Sequence, residues 1–232
     1  MKYLFIIIIV ILLMIPILIE EPKEKEEKKE TYIKSSGKID PINDPSYTSN
    51  PTIPNNTKVI GIVTDIPRAY PLNMMAWHLV VNEKDFSLTY CPLAQTVMGY
   101  HGLTLHASGK TLNGNSIFET SNGTLISQFT YSQDTIAAKI TTWEDWKRTY
   151  PKSLLLNDTG HIRKYSINPY PANAHTQFPK NRRSNLLSPN ERVMGHIETS
   201  EATLKLEGPQ PGYIEAPWSV WYAFHPDTEL TQ

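Results

Sequence analysis

Cys91 is the only cysteine among 232 residues, and seven histidines are its candidate partners. A thiolate beside an imidazole is a donor pair that copper and zinc both accept. One cysteine excludes an intrachain disulfide and any all-thiolate zinc or iron–sulfur site within one chain. The segment TYCPLAQTVMGYHG reads as a strand end, a short turn and a second strand. If FSLTYC and TVMGYH form that hairpin, register decides whether His101 shares the face of Cys91. Even in the favourable register it sits beside Ser87, roughly 13 Å along the strand, whereas ligands of one ion lie about 2 Å from it. His106, two strands away at about 10 Å, fares little better. His78, in MAWHLVVN, lies outside the hairpin, so the fold can bring it to Cys91; it is the stronger second ligand.

Each residue also has a plainer role. Cys91 suits a small buried hydrophobe, and His78 a core histidine bonded to a backbone carbonyl. A cysteine nucleophile needs a base and an oxyanion site. Cys91-Pro92 offers no glycine-rich elbow, and Pro92 has no N–H to give. In FHPDTE, His225 and Asp227 form a second candidate pair.

The elements that position these side chains are mostly strands. KVIGIVT reads as a strand starting near Lys58, RAYPL as the end of another, and FSLTYC as a half-buried strand with Phe86, Leu88 and Tyr90 on one face. TVMGYH, LTLHA, SIFETSNGTLISQFT with a turn at Asn122-Gly123, and TIAAKI continue the run. TTWEDWKRTY is the clear helix: Thr141 or Thr142 caps it, acids occupy its first turn, bases its last, and Pro151 stops it. NMMAWHL is too short to assign. Residues 157–189, polar, aromatic and proline-containing, read as a long ordered connector. The expected fold class is a β-rich α+β domain, of antiparallel sheets or a small barrel, with few short helices.

An internal echo organises the folded part. TTWEDWKRTYPKSLLL (141–156) aligns without gaps on APWSVWYAFHPDTELT (216–231), matching Trp143 with Trp218, Trp146 with Trp221 and Tyr150 with His225. KVIGIVT likewise echoes RVMGHIE (192–198). This order predicts a degenerate repeat: a first copy over 57–156, the connector 157–189, and a truncated second copy over 190–232. The paired tryptophans, spaced by three, predict a buried stripe on each short helix.

Residues 3–19 are uncharged and strongly apolar, at the short end of the roughly 17–25 residues that a membrane span needs. No small-residue cleavage site and no lipobox cysteine follows, so residues 1–19 are expected to be an N-terminal membrane anchor, with a cleaved signal peptide as the alternative. Residues 20–56, first Glu and Lys, then Ser, Pro, Asn and Thr, read as a flexible tether. The folded domain is then expected on the extracytoplasmic side. A net charge of −1 offers no basic field for nucleic acid.

The segments VIGIVTDIPRAYPLNMMAWHLVVN, TYCPL, SGKTLNGNSIF, TTWEDWKRTYP, DTGHIRKY, NERVMG and AFHPDTEL together resemble the family of domain of unknown function 3179, over residues 58–230. The resemblance implies a β-rich fold with an internal repeat and often an export signal, and no established reaction. Where that family commonly reads C-P-L-C, this chain has Ala94, which removes a two-thiol redox or metal motif. Arg68, Asn82 and Gln128 suit the lining of a cleft or, more plainly, satisfied structural polars.

The functional expectation is a metal- or redox-associated accessory protein using Cys91 and His78, with copper ahead of zinc in an oxidising compartment. The alternative is a non-catalytic binding or assembly module of a membrane complex. Whether the chain is an enzyme is left open by its residues.

Overall fold

A computed structural model of the chain describes residues 39–161, 164–165, 170–171, 173–205, 208 and 210–231, and the backbone of Ile33–Lys34. The expected anchor lies outside the described residues, as do residues 20–32 and 35–38 of the expected tether. Among those described, no helix is long and apolar enough to cross a membrane.

The fold is β-rich, with four open and mostly antiparallel sheets and three short helices among the described residues. The sheets are open rather than closed into a small barrel. The central sheet contains the Phe86–Cys91 and Thr96–His101 hairpin, flanked by Val80–Asn82. Every residue of Phe86–Cys91 is buried, so the strand is covered on both faces rather than half-buried. Its alternation still sorts side chains: Phe86, Leu88 and Tyr90 enter one core, and Cys91 enters another with Met98 and Tyr100. The register puts Phe86 opposite His101 and Cys91 opposite Thr96. His101 is thus at the far, exposed end of the hairpin from Cys91.

The folded part starts earlier than Lys58. Ile42 is fully buried, Ile42–Asn43 pairs parallel with Val80–Asn82, and Ser46–Thr48 pairs antiparallel with Leu154–Asp158. Polar composition made this stretch read as tether, although one buried isoleucine and two strand edges are enough to dock it.

Two further sheets are built alike. In one, Lys58–Ile62 pairs antiparallel with Ala138–Thr142, Lys58 facing Thr142 and Gly61 facing Lys139. In the other, Arg192–His196 pairs antiparallel with Tyr213–Pro217, Arg192 facing Pro217 and Gly195 facing Ile214. The segment NMMAWHL proves helical within α1 (Leu72–His78). A helix follows each of the paired strands at once: α2 (Trp143–Thr149) and α3 (Trp218–Phe224). Thr142 caps α2, its hydroxyl accepting from Asp145 N at 3.1 Å. The first helical amides take matched partners, Trp143 N to Thr57 O at 2.8 Å and Trp218 N to Glu191 O at 2.6 Å. Trp146 Nε1 donates to Ser153 Oγ at 2.7 Å, and Trp221 Nε1 to Thr228 Oγ1 at 2.8 Å. Each chain then returns as a parallel strand, Leu155 beside Ala69 and Leu230 beside Ala202.

Helices of seven residues do not persist without tertiary support. Trp143, Trp146, Trp218 and Trp221 supply it, all of them buried. Trp146 lies flat on the strand at Gly61, where an added Cβ would come within 2.2 Å of the ring, and Trp221 lies on Gly195, where the gap would be 2.3 Å. A side chain at either glycine would push the indole out of its seat. Gly61→Ala is therefore expected to destabilise by about 3 kcal/mol, the upper end for overpacking. Gly208→Ala, with no atom of the described residues near the new Cβ, should stay within about 0.5 kcal/mol. Urea unfolding of both variants checks the contrast.

Candidate functional site

His78 ends α1, and the chain turns away through Leu79 in a left-handed conformation. The ring is buried and held at both nitrogens: Nδ1 lies 2.8 Å from Asp40 O and Nε2 2.6 Å from the Tyr165 hydroxyl. A carbonyl only accepts, so Nδ1 carries the proton. In the neutral ring Nε2 then accepts from Tyr165, whose oxygen in turn accepts from Thr159 Oγ1 at 2.8 Å. Asn73, from the first turn of α1, donates to Tyr165 O and fixes the backbone there. The His161 ring lies 4.5 Å from that of His78, tilted by 37°. Its Nε2 is 3.3 Å from Pro41 O. Three segments distant in sequence thus meet at one hydrogen-bonded cluster. Beside it runs a groove of about 600 Å³ lined by Asp40, Asn43, His106, Thr159 and His161.

Cys91 is in different surroundings. Its Sγ accepts backbone N–H bonds from Ser116 at 3.2 Å and from Ala94 at 3.5 Å. Its neighbours Leu93, Ala94 and Met98 are buried in the same core. Among the described residues, the hydrogen-bond partners of His78 are Asp40 and Tyr165, and those of Cys91 are Ala94 and Ser116. Among the described residues, no group of three or more His, Cys, Asp or Glu is gathered to hold a metal ion.

The other sequence candidates are mostly satisfied polars. Gln128 is fully buried; its Nε2 donates to Thr89 Oγ1 at 2.9 Å, while Oε1 accepts from Thr96 Oγ1 at 2.6 Å and Asn115 Nδ2 at 3.0 Å. Asn82 bridges Asn43, Ser87 and the backbone of Leu105. His225 does not take Asp227, which is exposed. Instead its Nε2 donates to Phe129 O at 2.9 Å and its Nδ1 accepts from Ser200 Oγ at 2.9 Å, and burial holds its pKa below the usual histidine range. Arg68 does line a cleft.

A family model described as a protein of unknown function, DUF3179, matches residues 36–210. The chain belongs to the DUF3179 family. No curated protein and no solved structure matches the chain. The DUF3179 match begins before Lys58 and takes in Asp40, in agreement with the early start of the fold. It ends before Tyr213–Pro217 and α3, so the AFHPDTEL segment lies outside it.

Sequence reasoning placed His78 but missed Asp40, Thr159, His161 and Tyr165. The signal was present in DTGHIRKY, one of the segments carrying the DUF3179 resemblance, yet it sat inside a stretch read as connector. Asp40 contributes through its carbonyl, which no side-chain pattern reveals.

Removing the phenol should leave His78 Nε2 without that partner inside the protein. Tyr165→Phe is expected to cost about 1–3 kcal/mol, and Asp227→Asn less than about 0.5 kcal/mol. Equilibrium denaturation of both variants measures this.

Proposed function

We propose that this DUF3179 protein is a membrane-tethered, extracytoplasmic binding module whose ligand, a small polar molecule, seats in the groove beside His161 and the His78–Tyr165–Thr159 relay. The observation that carries the reading is the convergence of Asp40, His78 and Thr159–Tyr165 on one hydrogen-bonded cluster at the groove wall. Polar side chains converging on a partly apolar concavity are the usual form of a small-ligand site. The uncharged run over residues 3–19 supports the membrane tether, and the charged stretch after it supports a folded part held off the bilayer. A membrane-protein complex is the natural setting for such a module.

We also infer that the two matched sheets are copies of one element. The support is the identical register at Lys58/Thr142 and Arg192/Pro217, and the tryptophan–glycine seats that recur in both. In this reading the copies are frame, and chemistry resides where they differ.

The competing reading is a copper or zinc site on Cys91 and His78. It rests on residue types and an oxidising compartment, and it requires both side chains to leave the partners they hold. Two measurements on the full chain in detergent separate the readings. Thermal-shift screening against small polar molecules should give ligands that raise the melting temperature of wild type and lose that effect in His161→Ala and in His106→Ala. Ligands indifferent to both substitutions would count against the groove. Copper or zinc bound at one ion per chain, and lost in Cys91→Ser, would establish the competing reading instead.

A further inference from the structure

A second cleft, of about 380 Å³, lies between the turn after Lys58–Ile62 and the turn after Val80–Asn82. Loops at the end of a sheet scaffold are where binding groups are most often displayed. Its lining includes Thr64, Arg68, Glu83, Lys84 and His101, with the acids Asp65 and Asp85 at hand. Tyr47 and Tyr70 both donate to Glu83 Oε1, Tyr70 at 2.8 Å. Burial pushes the Tyr70 phenol well above its usual range, so it stays a donor. With both phenol protons on Oε1, a proton on this carboxyl belongs on Oε2, and burial pushes Glu83 up to about 7. Among the described residues nothing hydrogen-bonds to Oε2.

Arg68 completes the arrangement. Its guanidinium carbon lies 5.5 Å from the centre of the Tyr47 ring and 5.8 Å from that of Phe86, so aromatic faces position it. Nη1 donates to Thr64 Oγ1 at 3.0 Å, and among the described residues the buried Nε has no partner. Among the described residues no carboxylate pairs with it. The matched sheet shows that the framework does not require an arginine here. Arg68 faces Leu154 in the first sheet, and at the same place in the second Glu201 faces Glu229.

We propose that this cleft binds a small carboxylate, gripped by the Arg68 guanidinium and by a hydrogen bond from the carboxylic acid of Glu83. A guanidinium matches a carboxylate in shape and charge, and an un-ionised acid is a donor that carboxylate oxygens accept. The volume falls within the roughly 300–1,000 Å³ of ordinary ligand pockets.

The donor form of Glu83 prevails below pH 7 and is lost above it. Binding by that form alone weakens about tenfold between pH 6 and pH 8. Tyr47 and Tyr70 bond to Glu83, and the other titratable or charged groups of the cleft are Asp65, Arg68, Lys84, Asp85 and His101, so His101→Gln is the control for an imidazole. Calorimetric titration of the full chain with acetate, succinate and inorganic phosphate at both pH values tests the proposal. Wild type should bind acetate or succinate about tenfold more tightly at pH 6, and more tightly than phosphate. Glu83→Gln should bind equally at both pH values, since an amide N–H donates without titrating. Arg68→Gln should lose binding at both while unfolding cooperatively as wild type does, and Arg68→Lys should retain part of it. No carboxylate binding by wild type at pH 6 would overturn the proposal. So would phosphate bound as tightly as carboxylate, or a pH dependence that survives Glu83→Gln and disappears in His101→Gln.

Discussion

An indole ring lying flat on a strand glycine is the contact on which this structure depends. Trp146 on Gly61 and Trp221 on Gly195 let a seven-residue helix lie directly against the strand it has to cover. Burying one tryptophan removes about 150–250 Å² from water, or about 4–6 kcal/mol at about 25 cal/mol per Å². That exceeds what so short a helix gains from its own hydrogen bonds. The N–H of each indole is meanwhile engaged by Ser153 or Thr228, so this burial leaves no polar atom of either ring unsatisfied. The returning strand is pinned by the same bond, which fixes its parallel pairing. Strand, helix and return strand therefore stand or fall together.

On this frame, the chemistry lies where the chain departs from regular pairing. α1 ends at His78 because Leu79 adopts a left-handed conformation, and that stop aims the imidazole at Asp40 O and Tyr165. The Asp40 and Tyr165 segments lie far apart in the sequence, and no hairpin brings them together. The polar cluster of Thr89, Gln128, Thr96 and Asn115 beside Cys91 is of another kind. Its members satisfy one another in the interior, so it specifies packing and offers nothing to a ligand. Arg68 and Glu83 differ again: both line a cleft, and among the described residues Arg68 Nε has no hydrogen-bond partner.

Much of the framework was legible in the sequence because its cause is local. The V-x-G strand and the W-x-x-W helix state their own period, and Thr142 with Asp145 states the cap. The buried tryptophans were expected and are buried. The double burial of Phe86–Cys91 was not legible, because Ser87 and Thr89 look solvent-facing until Asn82 and Gln128 are seen to satisfy them. α1 was hidden because its apolar face, with Met75 and Ala76, is set by tertiary contact rather than by a long periodic stretch. The candidate site was half legible: a histidine can be picked from sequence, whereas a carbonyl and a tyrosine 87 positions away cannot be paired with it. The Cys91–His78 pairing was an inference from residue type, which carries no information about which distant segments meet.

The state of His78 tests the account most directly. Nitrogen-15 spectra of the histidine-labelled full chain, assigned by loss of the His78 signal in His78→Gln, report which ring nitrogen carries the proton. The account predicts a ring protonated at Nδ1, perturbed by Tyr165→Phe and unchanged by added copper or zinc. A ring protonated at Nε2, or one whose resonance shifts with either metal and recovers in Cys91→Ser, would contradict it.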